Sequence, residues 1–455
     1  MEFVDRVDEI ARLKKAFTRK EPGFFVLYGR RRLGKSTLLN RVLKDNDIYF
    51  MADKSDQTQQ RALLAKTIAL HIPDFDRVPY PDWETLFVEL NHRTKDHFVL
   101  CLDEFPYLVK SCLELPSILQ KLLDTKKLKY HLVICGSSQH LMQGMTLNSS
   151  APLYGRAKQI IKLQPIHIHY LQQILPDASP VEIIDNYAVL GGVPRYWELR
   201  LDEDSLKEMI MNQIANAIGV LHDEPERLLA DDLEKTTLSA SILSLIGNGV
   251  NRLAEIASRL SRKSTDLGNP ISKLIQLGYV GREVPFGENP KNSKKSLYKL
   301  NDPFLNFYYR FVVQQQSLIG QGRSEMVWKY ISDNFTDFVA AEWEKLCRHA
   351  VTGNNLFGID WNVASRWWGN VTKDKQIELD VVAESIDKKN LLIGECKWTK
   401  KENAESLLAD LKERTKDFAP TKNHQVYYVL FLKQRPNDGK KDYVLLPEDI
   451  INDLK

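Results

Sequence analysis

An apolar pentapeptide, Phe24-Phe25-Val26-Leu27-Tyr28, runs straight into Gly29-Arg30-Arg31-Arg32-Leu33-Gly34-Lys35-Ser36, and Thr37-Leu38-Leu39 continues with helical character. A strand, a glycine-bounded loop ending in Lys-Ser and a helix, in that order, leave few folds open to a chain. The two glycines let the backbone curl with its N–H groups pointing inward, so that the loop cradles phosphates. Lys35 then reaches the β- and γ-phosphates, the Ser36 hydroxyl holds Mg²⁺, and the helix that starts at Thr37 favours the anion through its dipole. A nucleoside triphosphate site over residues 29–37 is the expectation. An ordinary glycine turn would not require Lys and Ser at its last two positions.

At 455 residues the chain is too long for one hydrophobic core, so roughly two to four domains are expected. An apolar fraction of 43% and a charged fraction of 27% suit a soluble globular protein, and no apolar run approaches membrane-spanning length. Met1-Glu2-Phe3-Val4-Asp5-Arg6 is charged and unlike a signal peptide, which points to the cytoplasm and to no membrane partner. Cys101, Cys112, Cys135, Cys347 and Cys396 lie far apart without ligand spacing, and read as reduced, structural thiols. Net charge is only +3, yet residues 235–300 carry 11 Lys/Arg against 4 Asp/Glu. Such a local basic segment suits either a nucleic-acid contact or a solvated basic face.

Short apolar runs at 24–28, 48–52, 97–102, 131–135 and 158–163 alternate with helical patterns, the signature of a parallel sheet covered on both faces. This places an α/β core over 1–165. Amphipathic helices around Gly191-Gly192-Val193-Pro194 form a helical lid over 166–234. Residues 235–300 read as three helices (237–246, 251–257, 271–277) and a hairpin with its loop at 285–296, which suits a winged helix. An aromatic, packed connector follows over 301–330, then a separate α/β unit over 331–455. That unit has helices at 335–351 and 404–418 and strands at 377–383, 391–396 and 426–432.

Phe98-Val99-Leu100-Cys101-Leu102-Asp103-Glu104 is an apolar strand ending in two acids, as Mg²⁺-assisted phosphate chemistry requires opposite the loop. Asp103 would hold the metal through water and Glu104 would orient and deprotonate the attacking water. The strand at 131–135 ends in Gly136-Ser137-Ser138, where Ser137 or Ser138 would sense the γ-phosphate or simply form a turn. Arg156, in Leu153-Tyr154-Gly155-Arg156, is a candidate finger for a phosphate in its own or a neighbouring subunit, and Arg195 is a second one. A finger acting between subunits implies a homo-oligomer.

In the last unit, Ile377-Glu378-Leu379-Asp380-Val381-Val382 is followed by Leu392-Ile393-Gly394-Glu395-Cys396-Lys397, with Glu342 upstream on a helix. On an extended strand Glu395 and Lys397 share a face, and Asp380 on the neighbouring strand can join them. Two carboxylates make a site for Mg²⁺ or Mn²⁺, and the lysine can polarise a water for phosphodiester cleavage. Glu342 is a further candidate metal ligand. A cross-strand ion pair is the simpler reading of Glu395 and Lys397 alone. Around Asn269 a recognition helix, and in the wing Lys291, Lys294 and Lys295, would contact DNA, unless the module only packs against the ATPase core. Trp361, Trp367 and Trp368 are expected to pack against the C-terminal sheet rather than to stack on bases.

Phe3-Val4-Asp5-Arg6-Val7-Asp8-Glu9-Ile10, GRRRLGKS, LDEF, GSS, LYGRA and GGVPRYW together resemble the archaeal-type ATPase family of the AAA+/STAND group over about the first 230 residues. The resemblance implies ATP, an ASCE/AAA+-like sheet in 5-1-4-3-2 order, and Val4 and Arg6 lying against the adenine. ELDVVAES…LLIGECKW resembles the DUF234-type domain and the PD-(D/E)xK nuclease fold. That resemblance implies roles for Asp380, Glu395 and Lys397 in the motif and for Glu342 as the helical acid. Leu379 stands where the motif has Pro. Three functions remain open from sequence: an ATP-regulated, metal-dependent enzyme that cuts DNA, an ATP-dependent switch or DNA-binding regulator whose nuclease-like domain does not cut, and a protein-partner module with no nucleic-acid role.

Overall fold

Five strands near the amino terminus form one wholly parallel sheet in a computed structural model that describes residues 3–126, 128–233, 236–400, 402–439 and 441–452. They are β1 (Phe24–Tyr28), β2 (Ile48–Met51), β3 (Val99–Asp103), β4 (His131–Gly136) and β5 (Gln159–Lys162), in the order β2-β3-β4-β1-β5. This is the 5-1-4-3-2 order that the family resemblance implies. Phe24, Val26 and Tyr28 feed the core on one face, and Phe25 and Leu27 feed the core on the other. Burial on both faces is why the central strands are continuous apolar runs rather than alternations.

The phosphate loop leaves the carboxyl end of β1 and enters the helix Lys35–Val42. Gly34 has φ of 83°, a left-handed conformation that side chains resist. A Cβ on Gly29 would lie 2.7 Å from the Leu163 carbonyl, so only glycine lets β1 pass the end of β5 here. After β5, among the described residues up to 233, the chain is helical and forms no strand. A capping box between Ser179 and Glu182 starts the lid helix Pro180–Leu190, and a second lid helix spans Glu224–Asp232.

Helices Thr237–Gly247, Leu253–Arg259 and Ser264–Gln276 precede an antiparallel hairpin of β6 (Val280–Glu283) and β7 (Leu297–Leu300), the element order of a winged helix. The third helix starts earlier than expected and carries Pro270 inside it. The expected lid boundary at 234/235 lies outside the described residues. A short connector helix, Pro303–Phe307, leads to a 28-residue helix, Ser324–Val351. At 1.5 Å per residue that helix is about 42 Å long, enough to reach from the connector to the C-terminal sheet.

Beyond a two-residue pair, β8 (Asn355–Leu356) and β9 (Ile359–Asp360), the C-terminal sheet is mixed. Its order is β10 (Ser365–Asn370), β11 (Gln376–Glu384), β12 (Asn390–Lys397), β13 (Gln425–Leu432) and β14 (Val444–Leu445). β10, β11 and β12 pair antiparallel, whereas β12 and β13 are parallel and need the crossover helix Ala404–Thr415 between them. Trp367 and Trp368 therefore lie within the sheet, in β10, and do not pack onto it from outside. Trp361 is fully buried and donates its indole N–H to the Leu356 carbonyl at 3.0 Å. One apolar cluster runs from Leu38 behind the phosphate loop through Tyr196 and Leu274 to Trp343 and Val429, so the units share a core. Among the described residues no helix is long and apolar enough to cross a membrane.

Candidate functional site

Lys35 is buried, and its Nζ donates to the Gly29 carbonyl at 2.9 Å and to the Arg30 carbonyl at 3.1 Å. Ser36 donates to Asp103 Oδ2 at 2.8 Å, and the Tyr49 hydroxyl donates to the same oxygen at 2.6 Å. Ser36 opens the helix and Asp103 ends β3, so a hydroxyl and a carboxylate converge across the loop as a hard oxygen donor set that fits Mg²⁺. Glu104 follows with φ of 51°, left-handed backbone of the kind that collects at working sites. Its carboxylate is met by the Ser137 hydroxyl, which donates at 3.0 and 3.1 Å from the end of β4. Ser137, not Ser138, is the serine that makes this contact.

Beside the loop lies a cavity of about 420 Å³ whose walls include Val4, Arg6, Leu33, Gly34, Thr37 and Arg195, in the size range of small-ligand sites. Burial lowers the pKa of Arg6, whose Nη2 donates to the Gln164 carbonyl at 2.5 Å. Arg195 pairs with Glu198 at 2.9 Å on the cavity rim.

The loop arginines point elsewhere. Arg31 pairs with Asp231 at 3.4 Å and Arg32 with Glu224 at 2.8 Å, both on the second lid helix. Arg30 is buried against Asp302, which precedes the connector helix. Burial works against the Arg30 charge, and Asp302, together with Tyr196 and Tyr279, more than restores it. What these three positions offer a phosphate is therefore their backbone, since their side chains are held by the lid and the connector.

Arg156 makes a bidentate pair with Asp124, at 2.7 and 2.8 Å. It precedes β5, and Asp124 ends the helix leading into β4, so the pair lies at the amino edge of the sheet. That corrects one expectation: Arg156 is at the opposite edge from its own phosphate loop, because parallel strands put every loop-bearing end on the other side.

In the C-terminal sheet the face alternation of β11 slips between Leu379 and Val382. Trp367 faces Leu379 and Ser365 faces Val382, so three steps on β11 match two on β10, which is a β-bulge at Asp380. At this bulge Asp380 Oδ2 accepts the Cys396 N–H of β12 at 2.9 Å. Burial first, and then Glu344 and Glu395, push the Asp380 pKa up to about 7. Glu395 is buried and pairs with Lys397 at 2.9 Å and with Arg414 of the crossover helix. Arg414 Nε is itself buried without a partner.

The helical acid is not the expected one. Glu342 is 2% exposed, accepts from Asn306 at 3.0 Å and pairs with Lys345 at 2.7 Å, away from Asp380. Two residues further, about 200° around the helix, Glu344 lies within 3.7 Å of Arg348 and 3.8 Å of Arg366 and acts on Asp380. Glu344, not the expected Glu342, is therefore the helical acid that stands beside Asp380. Among the described residues no three His, Cys, Asp or Glu groups stand close enough to hold a metal.

Two family models match separate parts of the chain. Residues 3–199 match an ATPase domain predominantly from Archaea, and residues 308–407 match DUF234, described as archaea bacterial proteins of unknown function. The chain carries an archaeal-type ATPase domain joined to a DUF234 domain. An uncharacterized protein of Methanocaldococcus jannaschii is 27% identical over 452 residues, covering 97% of this chain and 98% of its own. Among solved structures, the Aeropyrum pernix ORC2 protein, in ADPNP-ADP complexes, is 15% identical, with 70% of this chain and 95% of that one covered and a TM-score of 0.47. A STAND protein with a tetratricopeptide repeat sensor from Pyrococcus horikoshii is 14% identical, with 76% and 49% covered and a TM-score of 0.33.

Around the phosphate loop the residues that sequence reading missed are Tyr49, Asp302 and Glu224, which come from other elements and have no motif of their own. At the C-terminal sheet it missed Glu344, Arg366 and Arg414. Only the parity of residues on a helix already known to face the sheet would have pointed to Glu344. The wing is also partly committed: Phe286 N–H donates to the Arg366 carbonyl at 2.8 Å, and Glu283 lies 3.8 Å from both Arg348 and Arg366. Lys295 pairs with Glu288 at 2.7 Å, while Lys291 and Lys294 are exposed.

Proposed function

We propose that this protein hydrolyses ATP and couples its nucleotide state to metal-dependent DNA binding or cleavage by the C-terminal domain. The observation that carries the reading is Asp380, set at a bulge in β11 beside Glu395 and Lys397 of β12. Asp380 and Glu395 would hold Mg²⁺ or Mn²⁺ there, as in a PD-(D/E)xK nuclease, and the bound ion would supply Lewis-acid activation of water and phosphate. Lys397 orients the water. Burial opposes the Lys397 charge and Glu395 restores it, so the ammonium is held above its ordinary pKa.

At the nucleotide site Lys35 and the N–H groups of residues 29–37 bind the phosphates, Ser36 and Asp103 would hold Mg²⁺, and Glu104 takes the proton of the attacking water once Ser137 releases it. Val4 and Arg6 flank the adenine. The division into ATPase core (1–165), lid (166–234), winged helix (235–300), connector (301–330) and nuclease-like domain (331–455) belongs to the same proposal. Asn269 on the third helix, with Lys291 and Lys294 at the wing tip, faces solvent, and these residues suit the DNA backbone and groove. Arg156 acts only across a subunit boundary, in a homo-oligomer.

The test is cleavage of supercoiled plasmid by the full chain with ATP and Mg²⁺ or Mn²⁺, beside Asp380→Ala and Lys35→Ala. Nicking that both substitutions remove supports the proposal. A second reading, an ATP-dependent switch that binds DNA without cutting it, is favoured by the hold of Lys397 and Arg414 on Glu395. DNA binding with a steep salt dependence and no nicking would select it. ATP turnover retained by Lys35→Ala would overturn the assignment of the nucleotide site.

A further inference from the structure

Arg30 and Asp302 are 272 positions apart and form an ion pair in which each residue is 8% exposed. On the Arg30 side, Nη2 donates to the Tyr196 hydroxyl at 3.0 Å, which in turn donates to Glu224 of the lid at 3.0 Å. On the Asp302 side, Oδ1 accepts the Leu305 N–H at 2.7 Å, so the same carboxylate caps the connector helix. One turn along that helix, Asn306 donates to Glu342 of the long helix at 3.0 Å. Lys345 then ties Glu342, at 2.7 Å, to the Leu300 carbonyl at the end of the wing, at 3.0 Å. The long helix also carries Arg348, whose Nη1 donates to the Asp380 carbonyl at 2.9 Å.

Arg30, Asp302 and Glu342 in this series are buried, while Lys345 is 22% exposed on the wall of a cavity of about 480 Å³ that also touches the other three. Separating a buried pair such as Arg30 and Asp302 leaves an uncompensated charge, so a movement of one partner draws the other with it. The connector helix has only five residues and one cap, so a displacement of Asp302 passes to Asn306 without a turn in which to dissipate. Contiguity alone does not establish coupling; the two-sided use of Asp302, on the phosphate loop and on the helix cap, supplies the joint.

We propose that Asp302 is a positioning residue for the phosphate loop, contributed from outside the ATPase core, and that the Arg30–Asp302 pair passes nucleotide occupancy through Asn306 and Glu342 to the long helix beside Asp380. This rests on the reading of the phosphate loop as an ATPase site and not on whether the C-terminal domain cuts DNA.

The experiment compares ATP hydrolysis and hydrogen exchange, with and without ATP, in the full chain and two variants. Asp302→Asn should lower kcat by at least about tenfold while KM for ATP changes less than about threefold, with circular dichroism and the calorimetric stoichiometry of ATP binding as for wild type, since a loss of folded protein would lower kcat alone in the same way. Asn306→Ala leaves the ion pair in place. It should hydrolyse ATP within about twofold of wild type, yet lose the ATP-dependent change in exchange over 376–397 that wild type shows. Wild-type kinetics in Asp302→Asn would overturn the positioning role. An unaltered ATP response in Asn306→Ala, or none in wild type, would overturn the relay. A wild-type protein without ATP turnover would contradict the ATPase reading instead, and the exchange comparison would still decide the relay.

Discussion

Ser137 donates its hydroxyl to both oxygens of Glu104, tying the end of β4 to the residue that follows β3. The base that would activate water is thereby held away from the loop until something competes for the serine. Glu104→Gln should lower ATP turnover by on the order of 10²- to 10⁴-fold with ATP still bound. Ser137→Ala removes one hydrogen bond to a charged group and, by releasing Glu104, should raise turnover by up to about tenfold. Steady-state hydrolysis beside calorimetric ATP titration checks both, and a Glu104→Gln protein that turns over normally would remove Glu104 from the chemistry.

Glu342 and Glu344 should separate experimentally. Glu344 lies with Arg348 and Arg366 next to Asp380, whereas Glu342 is bound to Asn306 and Lys345. Glu344→Gln should weaken metal-dependent nicking with and without ATP. Glu342→Gln should leave nicking without ATP intact and alter only its response to ATP. The same plasmid assay reads both variants, and equal losses from the two would erase the distinction.

His131 makes the fold sensitive to acid. Its Nδ1 accepts the Gly23 N–H at 3.0 Å and its Nε2 faces the Arg19 carbonyl at 3.1 Å, which requires a neutral ring protonated on Nε2. Burial, and then His97, lower its pKa to about 4 from 6.5. Between those values the unfolded chain binds the proton and the folded chain does not, so stability rises with pH across the window and is lost on acidification. The loss is at most about 3 kcal/mol by pH 4. Urea unfolding at pH 7 and pH 4.5 should show it, and His131→Gln should flatten the difference.

Lys291 and Lys294 lie exposed at the wing tip, and neither has an ion pair among the described residues. Changing both to Ala should weaken binding to a DNA duplex at low salt and reduce the slope of log K against log salt by about 1 per lysine. Asp380→Ala should leave that slope unchanged. Slopes that do not respond to the wing would place the DNA contact elsewhere.

The central strands were readable because both of their faces are buried, so that 24–28 coincides with β1 and 131–135 with all but the last residue of β4. β10 was not, since its aromatic pair Trp367 and Trp368 and its length of six residues carry no alternation that separates a strand from a packed loop. β14 has two residues and no pattern of its own. At the site, Lys35, Ser36, Asp103, Glu104 and Ser137 were legible because each follows directly from the end of a buried strand.

Contiguous sequence by itself determined the phosphate loop, the two acids at the end of β3, and the Asp380, Glu395 and Lys397 set, because spacing along one or two strands decides which of those groups can meet. Tertiary structure decided that Glu344 and not Glu342 faces Asp380, because the helix face that meets the sheet depends on how the whole helix docks. It likewise decided that Arg30 binds Asp302 rather than phosphate. A charge buried at a junction takes the partner that folding brings within reach, and no local pattern records a partner 272 residues away.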